Sequence, residues 1–259
     1  MANEEERRTT KVRDMGADGG LFRSCMDAMK GGHSTGQALR HASLAAGLLT
    51  DARCYAELLG QFYLATAALE QRLQQQAVKQ LPLASRLREQ LGYSFTPGYE
   101  ADLAHLLGEN WRAQLAAMET APAREYAAQL AVADDETLCA AVFILWGPMA
   151  IGGGALILPR VKKQFGEGAT HVFQSVVGGV GRPARRDAFI KAFDGLVGSG
   201  ARAASIAANC RRLMSMNNDM MLAVKTSPYW AKYVKLGLLA AAAGAALAVA
   251  RWWRQRERQ

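Results

Sequence analysis

The sequence is poor in the side chains that build metal clusters and disulfide frameworks. Its 259 residues include only four histidines and four cysteines, and the cysteines lie far apart and never form a CxxC pair. A zinc site or a disulfide framework is therefore not expected. Because Cys139 and Cys210 fall in apolar helical patterns, we interpret the cysteines as buried free thiols of a reducing compartment.

The N-terminus lacks the apolar core of a secretion signal. Its first twenty residues, MANEEERRTTKVRDMGADGG, are charged throughout. Residues 1 to 20 are therefore predicted to be a disordered lead-in. The helical domain is predicted to follow over residues 21 to 224.

The chain also lacks the concentrated basic face that nucleic-acid binding requires. Its formal net charge is +8, but residues 225 to 259 hold seven Lys and Arg against Glu257 alone. Most of the excess charge therefore flanks an apolar C-terminal segment instead of covering a folded domain. Nucleic acid is not expected as a partner.

That C-terminal segment has the composition of a membrane anchor. Fifteen uncharged, mostly apolar residues begin at Leu236 and end at Ala250, between Lys235 and Arg251. Interfacial aromatic residues and the long basic side chains extend the span to about 20 residues. Residues 225 to 259 are thus predicted to be a tail anchor that leaves the main domain in the cytosol.

Between Leu21 and Val224, apolar residues recur at spacings of three and four, and no strand signal occurs. The predicted fold class is therefore all-α. The predicted helices cover residues 21 to 31, 35 to 46, 51 to 76, 98 to 119, 122 to 132, 135 to 165 with a central bend, 170 to 177, 184 to 198 and 200 to 225.

The predicted helix 135 to 165 contains an uncharged run, residues 137 to 159, that Pro148 and three consecutive glycines interrupt. One interpretation is a second membrane span. We prefer a buried helix bent at the glycines, because glycine lacks a Cβ and lets another surface approach the backbone. That surface is either a neighbouring helix or a planar ligand.

Three sequence blocks together resemble the heme oxygenase family. HSTGQALRHASLAAGLLTDARCYAELLGQFYLATAALEQ, which starts at His33, follows the first helices of that family without a gap. YEADLAHLLGENW resembles its middle helix, and the bent apolar run resembles its glycine-rich distal helix. The resemblance covers roughly residues 20 to 224 and implies a heme oxygenase-like helical bundle with heme as its cofactor.

The resemblance assigns roles to particular residues. His33 would be the proximal histidine that binds the heme iron through a neutral imidazole. Gly152, Gly153 and Gly154 would give room for oxygen on the other face of the heme. His41, two turns after His33, is the competing metal ligand. His105 and His171 are interpreted as structural or solvated residues.

The chain departs from the family where the chemistry takes place. Family members carry a distal aspartate that orders water and delivers a proton during oxygen activation. Depending on which glycines are aligned, that position is occupied here by Ala150 or Pro148, and residues 137 to 166 contain no Asp, Glu or His. Impaired heme cleavage is therefore expected.

The chain also retains few of the basic residues with which the family holds the heme propionates. In the register of the family, three of the four positions carry Met26, Ile144 and Ile190, and only Arg186 keeps a charge. Lys30, Arg185 and Lys191 are nearby substitutes, because an exposed propionate needs only a cation within reach. Lys30, Arg186 and Lys191 are thus the predicted propionate ligands, or else ordinary solvated charges.

Two functions remain open at this point. The first is a heme oxygenase that cleaves heme to biliverdin, carbon monoxide and iron, with electrons from an NADPH-dependent reductase on the same membrane. The second is a pseudoenzyme that binds or senses heme, or docks a partner, without catalysis. The basic ends of the anchor suit the mitochondrial outer membrane, whereas the habit of the family suggests the endoplasmic reticulum.

Overall fold

A computed structural model describes residues 19–45, 47–75, 81–151, 153–175, 181–196 and 200–224. Within these ranges the chain is helical without any β-strand, which confirms the predicted all-α class. The α-helices, in chain order, are α1 (Leu21–Ala28), α2 (Lys30–Ala45), α3 (Ala52–Gln74), α4 (Pro82–Leu91), α5 (Thr96–Leu107), α6 (Trp111–Met118), α7 (Ala121–Ala131), α8 (Asp135–Ala141), α9 (Gly147–Ile151), α10 (Gly153–Phe165), α11 (His171–Gln174), α12 (Arg182–Asp194) and α13 (Ala201–Ala223).

Two long helices organise the bundle. Helix α3 packs most extensively against α7 and α5, and α13 packs against α1, α2 and α8. Asp51 starts α3 as its N-cap, since its carboxylate accepts hydrogen bonds from the backbone N–H groups of Arg53 and Cys54 at 2.8 and 3.2 Å. The two long helices therefore provide the surfaces on which the shorter helices are placed.

Helix α4 is absent from the sequence-based prediction, although its signals are present. Pro82 occupies its first turn, Gly92 follows its last residue, and the buried side chains Leu83, Leu87 and Leu91 recur at helical spacing. At ten residues the periodic segment is short, which makes it easy to take for a connection between helices. The prediction, which had no helix between residues 76 and 98, was wrong here.

The predicted helix 98 to 119 is in fact two helices. Helix α5 ends at Leu107, where Gly108 adopts a backbone φ of 78°, and α6 begins at Trp111. A positive φ ends an α-helix, and glycine adopts it without steric cost. The chain therefore turns here while the apolar pattern continues.

The predicted bent helix, which corresponds to α8 to α10, is buried from Thr137 to Gly147. Helix α8 continues into a π-helical turn, Val142–Trp146, which leads into α9 and then α10. Pro148 cannot donate a hydrogen bond to the carbonyl of Ile144, and the helix widens in the turn just before it. All five residues of the π-helical turn are buried, in agreement with the preferred interpretation of this run.

The core on one side of this helix is aromatic. Phe143 from the π-helical turn lies 5.0 Å from Phe193 and 6.0 Å from Phe189, measured between ring centroids. Phe22 of α1 lies 5.3 Å from Phe143 on the same scale. This cluster joins α1 and α12 to the bent helix and fixes the direction in which that helix runs.

All four cysteines are free and buried, as predicted. They lie on four different helices, Cys25 on α1, Cys54 on α3, Cys139 on α8 and Cys210 on α13. Burial raises the pKa of the Cys139 thiol, and nearby Asp135 and Glu136 raise it further. The thiols therefore pack as small apolar groups.

The predicted lead-in, apart from its last two residues, and the predicted anchor both lie outside the described residues. None of the helices in the described ranges is long and apolar enough to cross a bilayer.

Candidate functional site

A cavity of about 720 Å³ lies between α2, α3, the bent helix and α13. Its volume falls within the range of about 300 to 1,000 Å³ that is usual for cofactor and small-molecule sites. Most of its wall is apolar, and α3 contributes Leu58, Leu59 and Phe62 to it. The polar side chains of the wall are Gln37, Arg40, His41, Tyr55, Tyr99, Arg160 and Asn217.

Helix α2 presents one face to the cavity. Gln37, Arg40, His41 and Leu44 line the wall, at the spacing of three and four residues that places side chains on one face of a helix. His33 lies one turn before Gln37 and is half-buried, but it does not itself line the cavity. The face on which the imidazole of His33 lies therefore continues into the wall.

Glycines of α2 let this helix pack closely on α13. A Cβ added at Gly36 would lie 2.7 Å from Asn218 Oδ1, and one at Gly32 would lie 3.0 Å from Met214 Cγ. The side-chain amide of Asn218 donates a 2.9 Å hydrogen bond to the carbonyl of Gly32. The beginning of α2 is thereby held directly on α13, so the position of His33 depends on α13.

The bent helix forms a second wall. Pro148, Met149, Gly154 and Ile157 line the cavity after the π-helical turn. A Cβ at Gly154 would lie 2.8 Å from Cδ1 of Phe173, so this glycine lets α10 approach α11 closely. Gly154 thus both contacts a neighbouring helix and lines the cavity.

Helix α11 contributes Val172 and Phe173 to the wall, and Asp102 fixes where it begins. The buried carboxylate of Asp102 accepts hydrogen bonds from the backbone N–H of His171 at 2.7 Å and of Val172 at 3.1 Å. His171 Nδ1 lies 2.9 Å from the same carboxylate. Burial raises the pKa of Asp102, and these three contacts act against that rise.

The sequence profile described as heme oxygenase matches residues 29–223. The chain belongs to the heme oxygenase family. No functionally curated protein matches the sequence.

Solved heme oxygenases share its fold. Heme oxygenase 2 from Chlamydomonas reinhardtii, crystallised without heme, is 26% identical, with a TM-score of 0.71 over 80% of this chain and 98% of that one. Heme oxygenase-1 from the cyanobacterium Synechocystis sp. PCC6803, in complex with heme, is 18% identical, with a TM-score of 0.68 over 86% of this chain and 99% of that one. Heme oxygenase-2 from the same cyanobacterium, in complex with heme and NO, is 20% identical and has a TM-score of 0.68, over 79% and 85% of the two chains.

The histidine expected as the proximal ligand of a heme oxygenase lies in a setting that favours neutral imidazole. Burial lowers the pKa of His33, and the guanidinium of Arg40 lowers it further. Neutral imidazole is the form that binds iron. His41, the competing ligand, does line the cavity but is otherwise exposed.

The other two histidines do not line the cavity. His105 Nε2 lies 3.0 Å from the carbonyl of Phe165, and His171 contacts Asp102 at the start of α11. The first contact joins α5 to the last residue of α10, and the second joins α5 to α11. These positions agree with the structural role predicted for the two residues.

The two positions predicted to replace the distal aspartate of the family differ sharply. Pro148 lies on the cavity wall and is exposed. Ala150 is completely buried and does not line the cavity. It lies three residues after Gly147, at which a Cβ would be 3.5 Å from the ring of Phe189 on α12. Position 148 is therefore the one of the two at which a carboxylate would lie on the cavity wall.

The glycines and cations predicted from the sequence are not all brought together. Gly154 lines the cavity, Gly153 begins α10, and Gly152 lies outside the described residues. Lys30 and Lys191 are exposed and Arg186 is half-buried on α12. None of these three cations lines the cavity.

The wall instead contains polar residues that the sequence reasoning missed. Within the described part of the chain, Asn217 Oδ1 and the hydroxyl of Tyr55 are buried without a hydrogen-bond partner. Arg40 and Arg160 bring two positive charges. A signal for Arg40 was present, since it follows His33 by two helical turns on the same face. No pattern pointed to Asn217, which is embedded in the long regular helix α13.

Proposed function

We propose that this chain binds heme in the cavity between α2 and the bent helix, as a divergent heme oxygenase. The observation that carries the proposal is the family match over residues 29–223, within which the fold encloses an apolar cavity of about 720 Å³. When bound, heme supplies both the iron that activates oxygen and the ring that is opened to biliverdin, carbon monoxide and iron. The chain itself must bind the heme, offer an imidazole and control protons.

His33, which lies one helical turn before Gln37, the first residue of α2 on the cavity wall, is the proposed iron ligand. Its half-buried position and the nearby charge of Arg40 disfavour the imidazolium, so the imidazole is neutral at neutral pH. The close packing of Gly32 and Gly36 on α13 holds this turn of α2 in place. On the opposite wall of the cavity, Gly154, Pro148 and Met149 leave space for the ligand.

The test is a titration of the full chain in detergent with ferric heme, with His33→Ala and His41→Ala as a matched pair. We expect the wild type and His41→Ala to give the same Soret band, and His33→Ala to lose or shift it. A band that changes only in His41→Ala would assign the iron to His41 instead. Absence of heme binding by the wild type would refute the proposal as a whole.

A second candidate function, heme binding without efficient cleavage, is favoured by a specific observation. No acidic side chain lines the described walls of the cavity, and the exposed distal position carries Pro148. Ring cleavage needs a placed proton source, typically worth about 10²- to 10⁴-fold in rate. We therefore expect slow or absent biliverdin formation when a reductase supplies electrons.

Restoring a carboxylate separates the two functions. Pro148→Asp places it on the cavity wall and should increase biliverdin yield in a single turnover, followed by absorption. Ala150→Asp is the matched control, because its carboxylate would be buried against α12 and should destabilise the protein without rescuing activity. Rapid and complete biliverdin formation by the wild type would exclude the noncatalytic function.

The proposal extends to the membrane. The charge and aromatic pattern around residues 236 to 250 supports a tail anchor with the main domain in the cytosol, on the endoplasmic reticulum or the mitochondrial outer membrane. A reductase on the same membrane would then donate the electrons. Deleting residues 227 to 259 should release the protein from membranes with its helical content unchanged, and a truncated chain that still required detergent would contradict the anchor.

A further inference from the structure

The cavity holds two guanidinium groups and no acidic side chain on its described walls. Arg40 extends from α2 and Arg160 from α10, and both line the cavity. The remaining wall is largely apolar, and His41 is its other ionisable basic group. A ligand that complements this wall has a large apolar body and at least one anionic group.

Arg40 is a partly buried cation of the cavity wall with no anionic partner among the described residues. It is half-buried, and burial alone lowers its pKa, with no carboxylate of the described residues acting against it. No hydrogen bond or ion pair of Arg40 occurs within the described ranges. Because arginine stays charged in proteins, this side chain keeps a partly desolvated charge that no described residue compensates.

Arg160 differs from Arg40 in exposure. It lies in the last half of α10, is exposed, and likewise has no ion pair within the described residues. Its neighbour Lys162 pairs instead with Glu167. An exposed residue that also lines the cavity marks the rim, where the polar end of an amphipathic ligand would meet solvent.

We propose that Arg40 and Arg160 bind the carboxylates of the ligand, with Arg40 in the wall and Arg160 at the rim. This inference rests on the proposed function, which supplies heme and its two propionates as the ligand. It assigns the carboxylates to α2 and α10. Lys30, Arg186 and Lys191, which the register of the family favours, lie away from the cavity wall.

The assignment has a physical reason. A carboxylate and a guanidinium form two parallel hydrogen bonds, and a charge-assisted bond of this kind contributes more than a neutral one. A propionate at Arg40 would also remove the cost of its half-buried charge. The cavity would thus select carboxylate-bearing tetrapyrroles over their esters.

The test compares ferric heme with its dimethyl ester, which has the same apolar body and no carboxylate. Both are titrated into the full chain and into Arg40→Met and Arg160→Met, with Lys163→Met as the control on α10, where Lys163 is exposed and lies off the cavity wall. The wild type should bind heme about 10- to 100-fold more tightly than the ester, the effect expected of charged hydrogen bonds. Arg40→Met should lose at least about tenfold of that preference, and Lys163→Met should lose none.

Two further measurements keep the result interpretable. Arg40→Met without ligand should unfold at the same temperature as the wild type or higher, because an uncompensated charge is removed. Arg40→Lys should recover part of the preference for heme, because it restores the charge without the planar fork.

The outcomes are separable. If the wild type binds neither ligand, the proposed function fails. If it binds heme and the ester equally, or if Arg40→Met and Arg160→Met keep the full preference, the proposed function stands and this inference is overturned. A preference lost only on substitution of Lys30, Arg186 or Lys191 would overturn it as well and return the carboxylates to the cations predicted from the sequence.

Discussion

Buried polar side chains on helix α3 and on the cavity wall differ in their hydrogen bonding. On α3, Gln61 accepts hydrogen bonds from the backbone N–H and the hydroxyl of Thr120, both at 2.9 Å, and donates to the carbonyls of Glu57 and Met118. On the wall, Asn217 Oδ1 is buried without a partner in the described part of the chain. The first arrangement stabilises the fold, whereas the second leaves hydrogen-bonding capacity for something else.

Glu70 extends the same contrast to charge. Its buried carboxylate accepts hydrogen bonds from the backbone N–H groups of Phe95 at 2.7 Å and Thr96 at 3.2 Å, at the start of α5. Arg40 is half-buried and has no such contacts within the described residues. The fully hydrogen-bonded charge of Glu70 belongs to the scaffold, whereas the charge of Arg40, without a partner among the described residues, is available to the proposed ligand.

The largest expected effect comes from breaking the scaffold at Glu70. Glu70→Ala removes the carboxylate and leaves the buried N–H of Phe95 without an acceptor, so unfolding free energy should fall by about 3 kcal/mol. Urea denaturation followed by circular dichroism measures the change. Glu89→Ala, at an exposed position on α4, is the control and should stay within about 0.5 kcal/mol of the wild type. Equal losses of unfolding free energy in Glu70→Ala and Glu89→Ala would contradict the stabilising role assigned to Glu70.

The contact of α5 with α11 should be the next most sensitive. A Cβ at Gly98 would lie 2.7 Å from Cα and 2.9 Å from the backbone N of Val172, so Gly98→Ala forces two backbones apart. We expect the free energy of unfolding, measured by thermal or urea denaturation, to fall by about 2 kcal/mol. At Gly31 a Cβ would meet nothing within 4 Å, and Gly31→Ala in the first turn of α2 should be neutral or stabilise by up to about 1 kcal/mol. A stable Gly98→Ala would mean that α5 and α11 are free to separate.

Titration of His33 sharpens the electrostatic side of the comparison. Its pKa is lowered from 6.5, first by burial and then by Arg40, so the folded protein binds fewer protons than the unfolded chain just below pH 6.5. This contribution to stability is therefore complete above pH 6.5 and declines as pH falls through 6.5 toward the lowered pKa. The measurement is the imidazole proton shift followed by NMR, assigned with His33→Gln.

Arg40→Met is the matching variant for that titration. Because the charge of Arg40 is the smaller cause, the pKa of His33 should rise in this variant without reaching 6.5. A pKa that did not move would show that the guanidinium does not act on the imidazole.

The smallest effect is expected at Asn217. Its Oδ1 has no partner to lose within the described residues, so Asn217→Leu should leave the unfolding free energy within about 0.5 kcal/mol of the wild type. Gln61→Leu provides the comparison, since it leaves the backbone N–H of Thr120 without its acceptor and should cost about 2 kcal/mol. Similar losses in both variants would show that Asn217 is part of the scaffold.

Much of the fold was accessible from the sequence because buried helices carry a periodic apolar pattern. An interruption of the long apolar helix was predicted from Pro148 and the glycines, and the π-helical turn ends shortly before Pro148 while α10 begins at Gly153. Helix α4 was missed because ten residues carry little periodic signal. The division at Gly108 was missed because the apolar pattern continues across a turn that one positive φ produces.

The charges of the site were less accessible, for a physical reason. An iron ligand must keep its register on a helix, whereas a propionate can be reached by any long cation nearby. Register therefore pointed to His33 but could not separate Lys30 from Arg40, which lie on the same helix and differ in whether they line the cavity. Pro148 and Ala150 could not be separated either, because only the direction of α9 relative to α12 decides between them.

The alkylation rates of the four buried thiols report how often the helices that carry them open. Each lies in the core on a different helix, so an alkylating reagent can react only while that helix is transiently exposed. When reclosing is faster than alkylation, the rate at each cysteine is the opening equilibrium constant multiplied by the rate for a free thiol. A ligand that binds only the closed state slows all openings that disrupt its site by the factor 1 + [L]/Kd. Cys25 and Cys210, on helices that support α2, would then report protection of the cavity, while Cys54 reports on the beginning of α3.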